Sequence, residues 1–154
     1  MHGLILLIHV LMLFKYSNIM AFTATLHIKG HSKEQDGMRV ISCDFAFNQK
    51  VDPTGVAISK VRGGVINIGL KNENDFDLIN WMFSNTAKKN GKIVFSSGIS
   101  DNQSFQTINF TDAVLINYNQ IFSEEDEVLV NLTISCRVIE ISGASFTNVW
   151  ETSD

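Results

Sequence analysis

The residues in this chain with the means to do chemistry are four histidines, two cysteines and one run of acids, and their spacing decides what they can do. His2, His9, His27 and His31 all lie within the first 31 residues. His27 and His31 are four apart, but across the junction of a strand and a turn, so they share no metal-binding face and read as solvated or edge histidines. Cys43 and Cys136 each sit inside an apolar alternating run, where a buried free thiol is the usual outcome. No histidine neighbours either one in sequence, so no thiolate nucleophile is assigned. Glu124, Glu125, Asp126 and Glu127 are consecutive. Acid pairs do acid–base work only when one carboxyl is buried enough to shift its pKa, and a run of four reads as a solvated loop. Gly63-Gly64 lacks the lysine and helix start of a phosphate loop; it lets the backbone turn or come close to another chain. Catalytic, cofactor-binding and metal-ligating residues are therefore assigned to none of these positions. Trp81 reads as core, whereas Trp150 follows the last strand and is placed to pack on a neighbour.

Composition sets the frame for elements that would position such groups. With 154 residues, 45% hydrophobic and 18% charged, the chain is long enough to bury a core without staples and is neither disordered nor fibrous. A net charge of −4 leaves no basic excess for a phosphate backbone, so nucleic acid is not an expected partner. Gly3 to Phe14 is an apolar run of 12 residues interrupted by His9, short of the roughly 20 a membrane span needs, so no stable anchor is expected. No cation precedes it, as a signal peptide would require. Met20 opens a clean strand pattern, so residues 1–19 are expected to derive from an unused upstream start, with a signal peptide as the other reading, and residues 20–154 to form one domain.

From Phe22 onward the dominant period is two. Phe22, Ala24, Leu26 and Ile28 oppose Thr23, Thr25, His27 and Lys29, which predicts a half-buried strand. Residues 30–37 predict a turn, and Ile41, Cys43, Phe45 and Phe47 opposite Ser42 and Asp44 predict a second strand. Asp52-Pro53-Thr54-Gly55, with the only proline, then breaks the pattern, and the stretch to Arg62-Gly63-Gly64 predicts a projecting loop. Strands resume at Ile66, Ile68 and Leu70, at 92–97, at 105–110, at 114–118 and at 128–141. In the last, Val128, Val130, Leu132, Ile134, Cys136 and Val138 share a face. Between Asn74 and Asn90 the period changes: Phe76, Ile79 and Phe83 recur at helical spacing with Leu78 and Met82 beside them. Asn74 is the expected cap, with Asp75 and Asp77 in the first turn and Lys88 and Lys89 in the last, before Gly91. One helix among about seven strands predicts a mainly β fold, a small antiparallel β-barrel or sandwich with one packed α-helix.

The order of these parts resembles the Hcp-like tube proteins of Bacteroidetes type VI secretion systems. The resemblance is carried by Asp52-Pro53-Thr54-Gly55, Val61-Arg62-Gly63-Gly64, Ile66-Asn67-Ile68 and a helix with Trp81-Met82. Phe110-Thr111-Asp112-Ala113, Tyr118, Phe122, Leu132-Thr133-Ile134-Ser135 and Trp150-Glu151 follow in order. It spans residues 20 to 151, and its specificity lies in the combination.

The resemblance implies a structural, non-enzymatic role without cofactors. Six subunits would close into a ring, and rings would stack into a tube that a contracting sheath drives outward with its spike, carrying effector cargo in the lumen. Such a protein would be cytoplasmic during assembly and then leave through the apparatus. The loop from Asp52 to Gly64 would stack ring on ring, with Asp52, Thr54, Gly55, Arg62, Gly63 and Gly64 at the contact and Asp52 and Arg62 paired across a subunit boundary. Trp150 would lie at a subunit interface. A reading from another class is a secreted monomeric β-domain that binds carbohydrate or protein, for which the leader would be a signal peptide.

Overall fold

Apolar residues at alternate positions become strands whose inner faces meet in one core. The computed structural model describes residues 22–71, 73–97, 104–124 and 127–150, so the leader 1–19, Glu125, Asp126 and Glu151 fall outside the described residues. The strands are β1 (Phe22–Ile28), β2 (Met38–Phe45), β3 (Val65–Lys71), β4 (Lys89–Ser97), β5 (Ser104–Ile121), β6 (Leu129–Ile141) and β7 (Ala144–Thr147), with α1 (Phe76–Phe83) between β3 and β4. All pairings are antiparallel, in the order β3-β2-β1-β4-β5-β6-β7, and β3 also pairs with β6. That extra pairing closes β1 to β6 into a barrel, which removes the open edges a flat sheet would expose. One edge of β6 is thus shared: its first half pairs with β3, from Lys71↔Leu129 to Val65↔Ser135, and its second half with β7. Leu26, Ile28, Ile66, Ile68, Ile93 and Leu132 fill the interior and are essentially inaccessible.

Three departures from strict alternation have local causes. A bulge between Val40 and Ser42 reverses the parity of β2, so Met38 and Val40 are buried, Ile41 is exposed, and Cys43 and Phe45 turn inward again. The expected face that included Ile41 is corrected accordingly. Residues 105–110 and 114–118, read as two strands, are one long β5 that kinks at Asp112, whose φ is +50°. Opposite that kink the alternation of β6 also breaks, although the pairing register holds, so Ile139 enters the core in place of the expected Val138. The Arg137 Nε–Asp112 Oδ2 ion pair of 2.8 Å and the Asp112 N–H bond to Asn90 Oδ1 hold the kink. The third departure is β7, a four-residue strand without a readable period.

The helix is shorter than its pattern suggested. Asp75, not Asn74, caps it: its backbone is extended and its Oδ1 accepts the Leu78 N–H at 3.1 Å. Ser84 ends it, with its N–H on the Trp81 carbonyl, so Lys88 lies past the helix and Lys89 opens β4. Leu78 and Trp81 form the buried face, and Trp81 Nε1 donates to the Ala87 carbonyl at 3.1 Å. Of the residues at helical spacing, Phe76 and Phe83 face outward, 77% and 79% exposed, with Ile79 half-buried between them. No helix among the described residues is long and apolar enough to cross a membrane.

Because β2 and β3 are antiparallel neighbours, residues 46–64 join them at one end of the barrel, while α1 leaves the far end of β3. The barrel therefore has an arm end and a helix end.

Candidate functional site

The groups that suggested chemistry are bound up in structure. His31 was expected to be solvated or at an edge; it is 7% exposed, because it anchors the β1–β2 turn to the start of α1. Its Nε2–H donates to Asp75 Oδ2 at 2.7 Å and its Nδ1 accepts the Lys33 N–H at 2.9 Å. Asp77 Oδ2 lies 3.8 Å from Nε2, so His31, Asp75 and Asp77 have the donor atoms of a metal site. The tautomer argues against that use. A metal on Nε2 would need the proton on Nδ1, where it would face the Lys33 N–H. The same bond removes His31 as a general base, since the nitrogen that would accept a proton is already accepting one from the backbone. Lys33 also bonds Glu73 at 2.7 Å, and that bond holds the lysine pKa above its ordinary value.

The thiols are equally quiet. Burial pushes Cys136 up to about 12, and burial with the Asp44 charge pushes Cys43 up to about 11. In the unfolded chain these thiols ionise near 9, so above that pH the folded chain binds the extra proton and stability falls. We expect the buried Cys136 alone to cost about 1.4 kcal/mol per pH unit between the two values, and Cys136→Ala to flatten that slope in urea titrations. An unchanged slope would show that the thiol is not the group responsible. Below pH 9 the buried Cys136 should not react with a disulfide reagent until the chain unfolds.

The arm is the feature whose geometry has no role inside the barrel. It is an ordered ribbon, not a loop. Asn48 and Arg62 exchange both backbone hydrogen bonds, at 2.9 and 2.8 Å, and farther out Ile58 N–H bonds the Lys50 carbonyl and Asp52 N–H the Val56 carbonyl. At the tip Pro53 sets the first turn dihedral, the Gly55 N–H closes on the Asp52 carbonyl at 3.0 Å, and Gly55 takes φ +90°. Asp52 Oδ1 accepts from the Thr54 hydroxyl, the Thr54 N–H and the Val56 N–H at 2.7, 2.9 and 3.0 Å. The Thr54 hydroxyl first, and the Val56 amide after it, hold the Asp52 carboxyl below its ordinary pKa. Asp52 and Thr54 thus shape the tip. Arg62 is exposed and makes no ion pair among the described residues.

The base of the arm is clamped to the barrel by residues that no local pattern marks. Asn148 Nδ2 donates to the Gly63 carbonyl at 2.9 Å and to the Cys136 carbonyl at 3.0 Å, and the Cys136 N–H bonds the Gly64 carbonyl at 2.8 Å. Phe47 lies over Gly63, where a Cβ would collide with its ring, and packs edge-on against Phe146 at 5.1 Å. Between clamp and tip the ribbon carries exposed Val51, Val56, Ile58 and Val61. Trp150 is half-buried, with Lys88 Nζ 5.7 Å above its ring.

Comparison with known proteins gives a consistent picture. The family model of the hemolysin coregulated protein Hcp (TssD) matches residues 20–151. None of the curated protein sequences matches significantly. Among solved structures, Hcp1 from Flavobacterium johnsoniae is 26% identical with a TM-score of 0.73, covering 82% of this chain and 99% of that one. Hcp1 from Salmonella typhimurium is 15% identical with a TM-score of 0.64 (83% and 93% covered), and a type VI secretion system effector from Yersinia pestis 13% identical with 0.63 (81% and 99%); these two share the fold. A closed six-strand barrel with one helix among the described residues and a family match over 20–151 place this chain in the Hcp (TssD) family.

Proposed function

We propose that this chain is a structural subunit of a type VI secretion inner tube, closing into rings, expected to be hexamers, that stack through the arm. The single observation that carries the reading is the arm itself. A ribbon shaped at its tip, clamped at its base and lined with exposed β-branched side chains has nothing to pack against in its own barrel. Copies joined head to tail would bury it, and a heterologous contact that closes yields a ring while one that repeats yields a tube. In this reading the protein assembles in the cytoplasm, is enclosed by sheath, tipped by spike, carries effector cargo and leaves through the apparatus.

The test is Arg62→Glu. Arg62 is exposed and its side chain touches no core group, so the variant should fold normally and still form rings. Stacking and secretion should fall at least tenfold. Circular dichroism, light scattering and a secretion assay separate these readouts. Normal secretion, or loss of the ring itself, would place the arm at a different interface; a wild-type protein that stays monomeric at high concentration would overturn the tube reading.

A further inference from the structure

We infer that the surface receiving the arm is the outward face of α1 on a second copy, with Arg62 of the arm meeting Asp77 and the arm's aliphatic side chains covering Phe76 and Phe83. The inference rests on the stacking reading above and says where the contact falls.

Three observations lead there. Residues 46–64 carry Lys50, Lys60 and Arg62 against Asp52, whereas residues 73–84 carry Glu73, Asp75 and Asp77 with no lysine or arginine. Of those three acids, Glu73 and Asp75 are buried and engaged by Lys33 and His31. Asp77 is 41% exposed at its side chain, and its closest contact is a long 3.4 Å bond from the Ser32 N–H. It is the one of the three free to take an arginine, and an exposed guanidinium suits a carboxylate.

The apolar surfaces also match. Phe76 and Phe83 are seven apart, so they lie two turns apart along one side of α1, and both are more than three-quarters exposed. On the arm, Val51, Val56 and Ile58 are each about 60% exposed. An aromatic pair flanked by acid thus faces an aliphatic ribbon flanked by base. The pairing cannot form within one chain. The arm projects about 20 Å from the arm end, estimated from six residues at about 3.3 Å each, whereas α1 starts beyond the opposite end of β3. Head-to-tail repetition brings the two together and presents both again at the ends of the pair, which is the condition for an open stack.

Two measurements test this. The first is charge reversal in the full chain. Arg62→Glu and Asp77→Arg should each reduce the fraction of protein sedimenting as stacked rings at least tenfold, and the double reversal should restore it to within about twofold. Phe83→Ser, at an exposed position, should reduce it similarly with an unchanged circular dichroism spectrum. The second is cross-linking. In a Cys43→Ser background, which removes the half-buried native thiol, a chain carrying both Arg62→Cys and Asp77→Cys should form a ladder of disulfide-linked multimers under mild oxidation, and neither single variant should, since Cys136 is buried. Wild-type stacking without rescue and without a ladder would overturn this inference and leave the tube reading in place. A wild type that never stacks would overturn both.

Discussion

Asp75→Asn should lower stability by about 2–3 kcal/mol and Tm by roughly 6–12 °C, although it changes one atom. Asp75 uses both oxygens: Oδ1 caps α1 through the Leu78 N–H, and Oδ2 accepts the His31 Nε2–H. The amide keeps one acceptor and turns a donor toward whichever donor it abandons. His31 cannot relieve the conflict by moving its proton, because Nδ1 would then point a second hydrogen at the Lys33 N–H. Asp75→Ala should cost as much, by leaving two buried donors unsatisfied. Asp77→Asn, in the same turn but half open to water, should change stability by less than about 0.5 kcal/mol. Thermal unfolding followed by circular dichroism compares all three. Equal Tm values for Asp75→Asn and the wild type would mean that the turn and the helix do not depend on one another.

Gly64→Ala should be the more damaging of two glycine substitutions in the arm. Both Gly55 and Gly64 have φ near +90°, so either alanine incurs the left-handed backbone cost of about 1–2 kcal/mol. At Gly55 a Cβ would meet nothing within 4 Å. At Gly64 it would lie 2.9 Å from the Cys136 carbonyl oxygen and collide with Asn148 Nδ2, the atoms that clamp the arm and end the β3–β6 ladder. We expect a total of about 3–4 kcal/mol, with Asn148 displaced and the arm base freed. Urea unfolding of both variants decides it: equal losses would show that the clamp yields without cost.

How much of this was legible depended on whether a signal was local. β1, β3 and the first part of β6 carry unbroken alternation and match the structure almost residue for residue. Asp52-Pro53-Thr54-Gly55 was readable as a turn, because each residue has its own steric reason to be there. The bulge at Val40–Ser42 was not, since the apolar residues at 41, 43, 45 and 47 mimic a regular strand and only pairing with β3 reveals the slip. In α1 the helical period marks two apolar stripes and does not say which one faces inward. Trp81, with more area to bury and an indole N–H that finds the Ala87 carbonyl, wins the inward face together with Leu78. His31 looked solvated because its partner, Asp75, is 44 positions away. The arm was expected from the sequence, yet its clamp was invisible: Asn148 and Gly63 are separated by 85 positions and neither is distinctive alone.

The closed barrel also sets how a subunit bears mechanical load. A sheet with a free edge fails by peeling, one hydrogen bond after another. In this ring β3 is stitched to both β2 and β6, so it offers no such starting point. The longest ladder, from Ile108↔Ile141 to Ile121↔Leu129, runs along the strands, and a force in that direction loads its bonds in shear, all at once. Each barrel is therefore expected to be stiffest along its strands.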